Sequence, residues 1–361
     1  MAHISQHNLV NEVIDLLKEL ISTPSFSKEE HETADKIFDF LESKGIAVLR
    51  EKNNVWACNK LFDAAKPTLL LNSHHDTVKP NTGYTRNPFE PTVERGKLYG
   101  LGSNDAGGPL VALLAVFLHF YHRPDLPFNL TYAATAEEEI SGENGVGSIL
   151  EDLGHVQLAI VGEPTQMKMA VAERGLLVLD CVATGKAGHA ARNEGINAIY
   201  LAEKDIEWFR THTFNKVSKW LGPVSMNVTA IHAGSAHNQV PEECNFVVDI
   251  RLNECYTHEQ VLAIIRENVQ SKVKERSTRI KPSFVDEQHA MVEVAKKMDI
   301  PLYASPTTSD MALMPWSAVK IGPGDSARSH SADEFIYIEE IEKGIEIYIQ
   351  LIEAYSKTNL I

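Results

Sequence analysis

The stretch Thr68-Leu-Leu-Leu-Asn72-Ser-His-His-Asp76-Thr77 runs from apolar residues straight into two histidines and an aspartate. Two later segments have the same form. Leu130-Thr-Tyr-Ala-Ala-Thr135 gives way to Glu137-Glu138-Glu139, and Leu158-Ala-Ile-Val161 to Gly162-Glu163-Pro164. Short apolar runs that stop abruptly in polar residues are the pattern of strands buried on both faces of a largely parallel sheet. Ligands of open α/β sheets bind beyond the carboxyl ends of the strands, so the three polar clusters are expected to converge in one crevice.

The flanking sequence supplies the helices such a sheet needs. Val10, Val13, Ile14, Leu17, Leu20 and Ile21 recur at helical spacing between Asn8 and Ser22, with Pro24 just beyond. A second helix is expected from Ser27 to Lys44, opened by the capping-box order Ser27-Lys28-Glu29-Glu30 and stopped at Gly45. From about Ala172 to Phe284 the texture changes to strand-like runs (Leu176 to Ala183, Val224 to Ile231, Asn245 to Leu252). These alternate with helix-like stretches at Asn197 to Arg210 and at Glu259 to Lys274, the latter behind a cap at Thr257. That mix predicts an α+β domain inserted at residues 172–284 into an α/β domain formed by residues 1–171 and 285–361. The chain then returns to a helix (Glu287 to Met298), a Pro- and Gly-punctuated loop region (Pro301 to Asp325) and a last helix from Ile338 to Tyr355.

Length and composition agree with two domains. The 361 residues exceed the roughly 150 of one ordinary domain. The 43% hydrophobic and 23% charged content is that of a globular protein with a substantial core. Thirty-four basic against forty-nine acidic side chains leave a net charge of −15, which repels nucleic acid and anionic lipid. No run of about 18 apolar residues suggests a membrane span, and the opening residues lack the order of a secretory signal, so a cytoplasmic location is expected. Cys58, Cys181, Cys244 and Cys255 show no CxxC spacing, which argues against a thiolate metal site and for buried, reduced thiols.

The candidate chemistry lies in the polar clusters. His74 and Asp76 are two apart at a strand end, where they share one side of the chain. Asp105 sits among glycines in Gly100-Leu-Gly-Ser-Asn-Asp105-Ala-Gly-Gly108 just before a helix expected from Pro109. Three adjacent glutamates at 137–139 repel one another unless cations are near. Glu163 follows the next strand, and His330 lies in Ser329-His330-Ser-Ala-Asp333-Glu334. Two histidines and several carboxylates without a cysteine suit a pair of divalent ions such as Zn²⁺, Co²⁺ or Mn²⁺. Paired catalytic ions lie about 3.5–4 Å apart and share a carboxylate, for which Asp105 is the candidate.

Seven segments, SHHDT, YGLGSNDAGG, TAEEEISG, VGEPT, GKAGHAAR, NQVPEECNFVVDIR and SARSHSADE, occur in an order that resembles the M20 family of metallopeptidases and amidohydrolases. The likeness spans about residues 10 to 355 and is strongest to the branch of acetylornithine deacetylases and succinyl-diaminopimelate desuccinylases. It implies a three-layer catalytic domain with a mostly parallel sheet and an inserted ferredoxin-like domain through which two copies dimerise. It also implies that His74 and Glu163 bind one metal, Glu139 and His330 the other, and that Asp105 bridges them. Asp76 would orient His74, and Glu138 would be the general base. Where the family usually reads Asp-Glu-Glu, this chain has three glutamates, so a slip of one would reassign base and ligand. The resemblance makes His189 an oxyanion donor to a partner subunit's active site, Asn238 and Arg251 substrate contacts, and Thr308 and Ser309 pocket residues. For Arg251 a structural salt bridge is the alternative. The family often has Asp-Met-Lys-Gly where this chain has Asp105-Ala106-Gly107-Gly108. His75, His232 and His237 match no family role.

The expected reaction is metal-dependent hydrolysis of an N-acyl amino acid, with N-acetylornithine the first candidate and the citrulline and succinyl-diaminopimelate derivatives close behind. A dipeptidase or aminopeptidase on the same fold is the alternative, and an inactive metabolite-binding scaffold the remote one.

Overall fold

A computed structural model describes residues 6–358. The chain forms two compact units, one of Met1–Val171, Phe284–Tyr303 and Ser309–Ile361, the other of Ala172–Ser283 and Ala304–Thr308.

The first unit is built on a mixed sheet whose centre is parallel. Read from one edge, the first six of its nine strands among the described residues are Leu49–Glu51, Asn54–Cys58, Asn129–Thr135, Thr68–His74, Val156–Val161 and Ser317–Lys320. Of these six, the last four run parallel to one another and the first two pair antiparallel. Every residue of Thr68–His74 and of Asn129–Thr135 is buried, as strands covered on both faces must be. The helix Gly108–Phe120 packs against these two strands and against the helices Gln6–Ile21 and Ile338–Tyr355. Because it is enclosed on nearly all sides, its sequence is apolar almost all round. A second apolar cluster, with Trp56, Leu70, Ile149, Val161 and Met311, takes in the short turns Val146–Ser148 and Asp310–Leu313.

The second unit follows the order Gly175–Thr184, Ala198–Thr211, Ser225–Ala233, Glu243–Leu252, His258–Asn268, Lys272–Glu275, which is strand, helix, strand, strand, helix, strand. All its pairings are antiparallel, and the first and third strands are the central pair. This is the ferredoxin-like arrangement. Strict alternation along Gly175–Thr184 and Glu243–Leu252 sends one face into a core with Phe209, Phe246 and Ile265.

Five sequence expectations need correction. The region Pro301 to Asp325, expected as loop, supplies the strand Ser317–Lys320 to the central sheet. The helix expected from Glu287 begins at Ala290, behind the cap His289. The second helix begins at His31, not Ser27, and its N-cap, Glu30, makes no side-chain capping bond. The Ser27 hydroxyl instead donates to Asp76 Oδ2 at 2.7 Å, so the apparent capping box gives up its cap to a buried carboxylate 49 residues away. The helix after Thr257 does form its capping box with Gln260, but it ends at Asn268, not Lys274. Asp205 draws the chain out of the helix there by accepting the N–H groups of Gln270 (3.1 Å) and Ser271 (2.8 Å). Finally, all four cysteines are free, but Cys58 and Cys255 are only partly buried. Among the described residues no helix is long and apolar enough to cross a membrane.

Candidate metal centre

The carboxyl ends of the parallel strands bring the expected side chains together. His74 closes its strand, and the next peptide N–H, of His75, still bonds Thr135 O at 3.0 Å, which fixes the strand end against its neighbour. Glu138 and Glu139 occupy a single helical turn, Glu138–Ile140, directly after Asn129–Thr135. Glu163 lies two residues past Val156–Val161. Asp105 sits in the turn Ser103–Gly107 that leads into Gly108–Phe120. Gly107 is required in that turn, because a Cβ there would sit 2.4 Å from Gly102 O.

The imidazole of His74 is 1% exposed. Its Nδ1 lies 2.9 Å from the main-chain oxygen of Asp76 and 3.4 Å from Asp76 Oδ1, so Nδ1 carries the donated proton and Nε2 faces the other way. Nε2 is buried and has no hydrogen-bond partner. It faces Asp105 Oδ1 at 3.4 Å, and Glu138 Oε2 and Glu163 Oε1 at 3.8 Å each. The second oxygen of Asp105, Oδ2, is 3.6 Å from His330 Nε2, which in turn lies 3.0 Å from Glu139 Oε2. Asp105 thus presents one oxygen to each histidine. Ligand atoms of His74, Glu138 and Glu163 fall within 4.8 Å of one another, as do those of His74, Asp105 and Glu139. An unpartnered imidazole nitrogen among convergent carboxylates, all N and O donors, fits divalent ions of the Zn, Co or Mn type.

The electrostatics describe the same cluster from the side of the proton. Burial disfavours a charged His74, but Glu138, Asp105, Asp76 and Glu163 outweigh it and raise its pKa well above the ordinary value. His330 is raised to about 9, first by its bond to Glu139 and then by Asp105 and Glu334. Burial raises Glu138 well above the carboxylate range, with Glu163, Asp310 and Glu139 adding repulsion against the attraction of His74. Without a cation the cluster compensates its carboxylates with protons, and binding a metal would release them.

The glutamate run resolves geometrically. Glu137 has a left-handed backbone (φ 53°) and turns its carboxylate away to accept Asn144 Nδ2 at 2.8 Å and Asn144 N at 3.3 Å. Gly142 makes room for it, since a Cβ there would lie 1.9 Å from Glu137 Oε2. Glu138 and Glu139 are the two that face the histidines.

Asp76 does more than the sequence suggested. It is the main-chain oxygen of Asp76 that makes the 2.9 Å contact with His74. The carboxylate accepts the N–H groups of Glu138 (3.0 Å) and Glu139 (3.2 Å) and the Ser27 hydroxyl, so it anchors the glutamate turn. Sequence reading assigned Ser27 and Glu334 no role at this site and took Asp310 only as part of a pocket-lining loop with Thr308 and Ser309. Asp310 accepts the Thr135 hydroxyl at 2.7 Å and is pushed by burial up to about 6. Glu334 was visible only as a carboxylate four residues after His330, inside a motif already singled out.

His75 points away from the cluster. Its Nε2 contacts Asn53 O at 2.8 Å and its Nδ1 the Thr33 hydroxyl at 2.9 Å, and burial lowers its pKa from 6.5 to about 4. The folded state therefore binds this proton less well than the unfolded chain, so the stability held above pH 6.5 is lost as pH falls toward 4. By linkage the loss is about 3 kcal/mol when complete. Urea unfolding of metal-free protein between pH 6.5 and 4.5 should show a steeper fall for the wild type than for His75→Gln; equal slopes would contradict the assignment.

The other expected residues are divided between the two units. His189 is exposed on a short strand, Gly188–His189, paired with Gln239–Val240. Ala190 N donates to Asn238 O at 3.1 Å, so His189 and Asn238 are neighbours. Arg251 is engaged by Asp249 through two bonds of 2.8 and 3.0 Å, the salt-bridge alternative. Thr308 belongs to the second unit and Ser309 to the first, where Ser309 caps the turn Asp310–Leu313.

The sequence matches Peptidase family M20/M25/M40 over residues 70–354, and the chain belongs to that family. It is 29% identical to the acetylornithine deacetylase of Proteus mirabilis, covering 95% of this chain and 96% of that protein. Aminopeptidase PepT of Bacillus cereus has the same fold, with a TM-score of 0.77 at 19% identity over 96% of this chain and 99% of that one. So does a dinuclear metal-binding M20 peptidase of Bacillus subtilis, with a TM-score of 0.71 at 17% identity over 96% and 98% of the two chains. The chain is an M20 hydrolase with a candidate site for two metals.

Proposed function

We propose that this hydrolase cleaves the amide bond of an N-acyl amino acid, with N-acetylornithine the first candidate and a place in arginine biosynthesis in the cytoplasm. In this reading His74 and Glu163 would hold one divalent ion and Glu139 and His330 the second, with Asp105 contributing to both. The observation that carries it is the two-sided Asp105, whose oxygens lie 3.4 Å from His74 Nε2 and 3.6 Å from His330 Nε2. The likeness to an acetylornithine deacetylase over nearly all of both chains supports the substrate class.

Divalent ions held there, zinc by preference and cobalt or manganese otherwise, would supply positive charge that polarises the amide carbonyl and acidifies water. Glu138 would take a proton from the attacking water as the water oxygen bonds to the carbonyl carbon, and pass it to the amide nitrogen as the C–N bond breaks. The products are the carboxylic acid and the free amine. Burial suits Glu138 to this cycle, since it brings the carboxyl nearer to working pH. Asp76 keeps Glu138 and Glu139 in place through their N–H groups.

His189, beside Asn238, is proposed to serve the active site of a second copy in a homodimer, donating to the oxyanion. Its exposed position supports a role outside its own unit. Replacing it by alanine should lower kcat by roughly 10²–10³-fold, as loss of an oxyanion donor does, while metal content by atomic emission stays at the wild-type level. Metal loss in step with activity would contradict that role. Asn238, Thr308 and Ser309 are proposed substrate contacts. Arg251 would join them only by exchanging Asp249 for a substrate carboxylate.

The test is amine release from N-acetyl and N-succinyl derivatives of ornithine, citrulline and diaminopimelate, alongside plain dipeptides, with and without chelator. Chelator-sensitive cleavage of one acylated amino acid is expected. Cleavage of dipeptides alone would transfer the chain to the peptidase branch, and binding without cleavage would make it a scaffold.

A further inference from the structure

Glu334 has no part in the proposed reaction, yet its surroundings tie it to the metal centre. The side chain is 2% exposed. Its Oε1 accepts the peptide N–H groups of Asn104 at 2.8 Å and Asp105 at 2.9 Å, and its Oε2 that of Gly102 at 3.1 Å. In return, Gly100 N donates to the main-chain oxygen of Glu334 at 3.0 Å. One residue therefore collects the turn that carries the two-sided carboxylate. It stands four positions after His330, the imidazole opposite Asp105 Oδ2.

The segment between them is held to the same side of the unit. His330 and Asp333 both have left-handed backbones, with φ of 56° and 53°, a conformation that non-glycine residues keep only where surrounding bonds impose it. Asn81 Nδ2 donates to His330 O at 3.1 Å, and Asp333 accepts the N–H groups of Thr85 and Arg86 at 2.9 and 3.0 Å. These contacts fix the histidine segment to the 81–86 loop. The Glu334 bonds, with a longer contact of 3.4 Å from Asn104 Nδ2 to the Ser329 hydroxyl, fix it to the aspartate turn.

We propose that Glu334 is a positioning residue that sets the distance between Asp105 and His330, so that the metal position shared by Asp105, Glu139 and His330 depends on it more than the position at His74 does. The inference rests on the two-metal reading above. A peptide turn held at three points by one side chain cannot shift without shifting Asp105. Loss of the clamp frees Asp105 Oδ2 from its register with His330, while the contact of His74 Nδ1 with Asp76 remains.

The experiment compares Glu334→Ala, Glu334→Gln and wild type, with Glu346→Gln, at an exposed position of the helix Ile338–Tyr355, as a control. Each is stripped by chelation and titrated with Co²⁺, read by calorimetry and by the visible absorption of the bound ion. Hydrogen exchange of residues 102–105 is followed in the metal-free proteins. Wild type and control should bind two ions. Glu334→Ala should keep the first and weaken the second by roughly 10–100-fold, the usual cost of losing a residue that orients metal ligands. Exchange across 102–105 should be faster while the rest of the sheet stays protected. Glu334→Gln, which retains one oxygen for Asn104 and Asp105, should lie between the two. If Glu334→Ala does not fold, Glu334→Gln alone decides, with weakened second-ion binding the expected result. Two ions bound at wild-type affinity, or both weakened equally, would overturn the inference. A wild type that binds fewer than two ions would instead overturn the two-metal reading.

Discussion

Glu138→Gln should lower kcat by roughly 10²–10⁴-fold, the range that a positioned general acid–base contributes, while leaving the content of bound metal unchanged. The substitution preserves shape and removes only the ability to take a proton. Its position supports this choice over its neighbours. Glu138 Oε2 stands 3.8 Å from His74 Nε2, and burial raises its pKa. Glu139 is bonded to His330, and Glu137 is turned to Asn144. The three variants should therefore separate. Glu139→Gln should lose metal affinity along with activity, and Glu137→Gln should affect the local fold more than either. Wild-type turnover in Glu138→Gln, measured by amine release, would mean that the base is elsewhere.

Chelation should abolish turnover and also weaken the fold. Asp105, Glu138, Glu139 and Glu163 converge on two histidines, and removing the cations leaves their mutual repulsion to be met by protons alone. Ions that bind only the folded protein stabilise it by mass action, by about 4 kcal/mol at a free concentration 1,000 times the dissociation constant. A lower melting temperature after chelation, restored together with activity by Zn²⁺, Co²⁺ or Mn²⁺, is the expected outcome. Rebinding near neutral pH should release protons, because His74 and His330 both hold theirs above the ordinary value in the metal-free protein. Full activity in chelator would refute the metal-dependent reading.

The strand ends were legible because a parallel strand buried on both faces is an uninterrupted apolar run, and its end is marked where polar residues begin. That signal alone located His74, the glutamate run and Glu163. The inserted α+β unit was legible through the strand-like and helix-like texture of its sequence, while its ferredoxin-like order was expected only from the family resemblance. What the sequence hid were partnerships between distant residues. Ser27 reads as a helix cap by its neighbours, but a carboxylate 49 residues on takes its hydroxyl. Asp76 is two residues from His74, yet its carboxylate is spent on peptide N–H groups 62 and 63 positions away. Glu334 works through backbone donors that no side-chain pattern reveals, and Arg251, a substrate contact by motif, is held by Asp249 on its own strand.

If the converging strand ends hold two ions and both are needed for amide hydrolysis, occupancy and turnover must rise together. The direct measurement is a titration of metal-free enzyme with Zn²⁺ or Co²⁺ in which bound ions and amine release from N-acetylornithine, or the best substrate of the panel, are read in the same samples. Binding should saturate at two ions per chain, with turnover reaching its plateau only as the second site fills. Turnover that is complete without metal, or a chain that binds no ion at the concentrations that support activity, would contradict the two-metal reading.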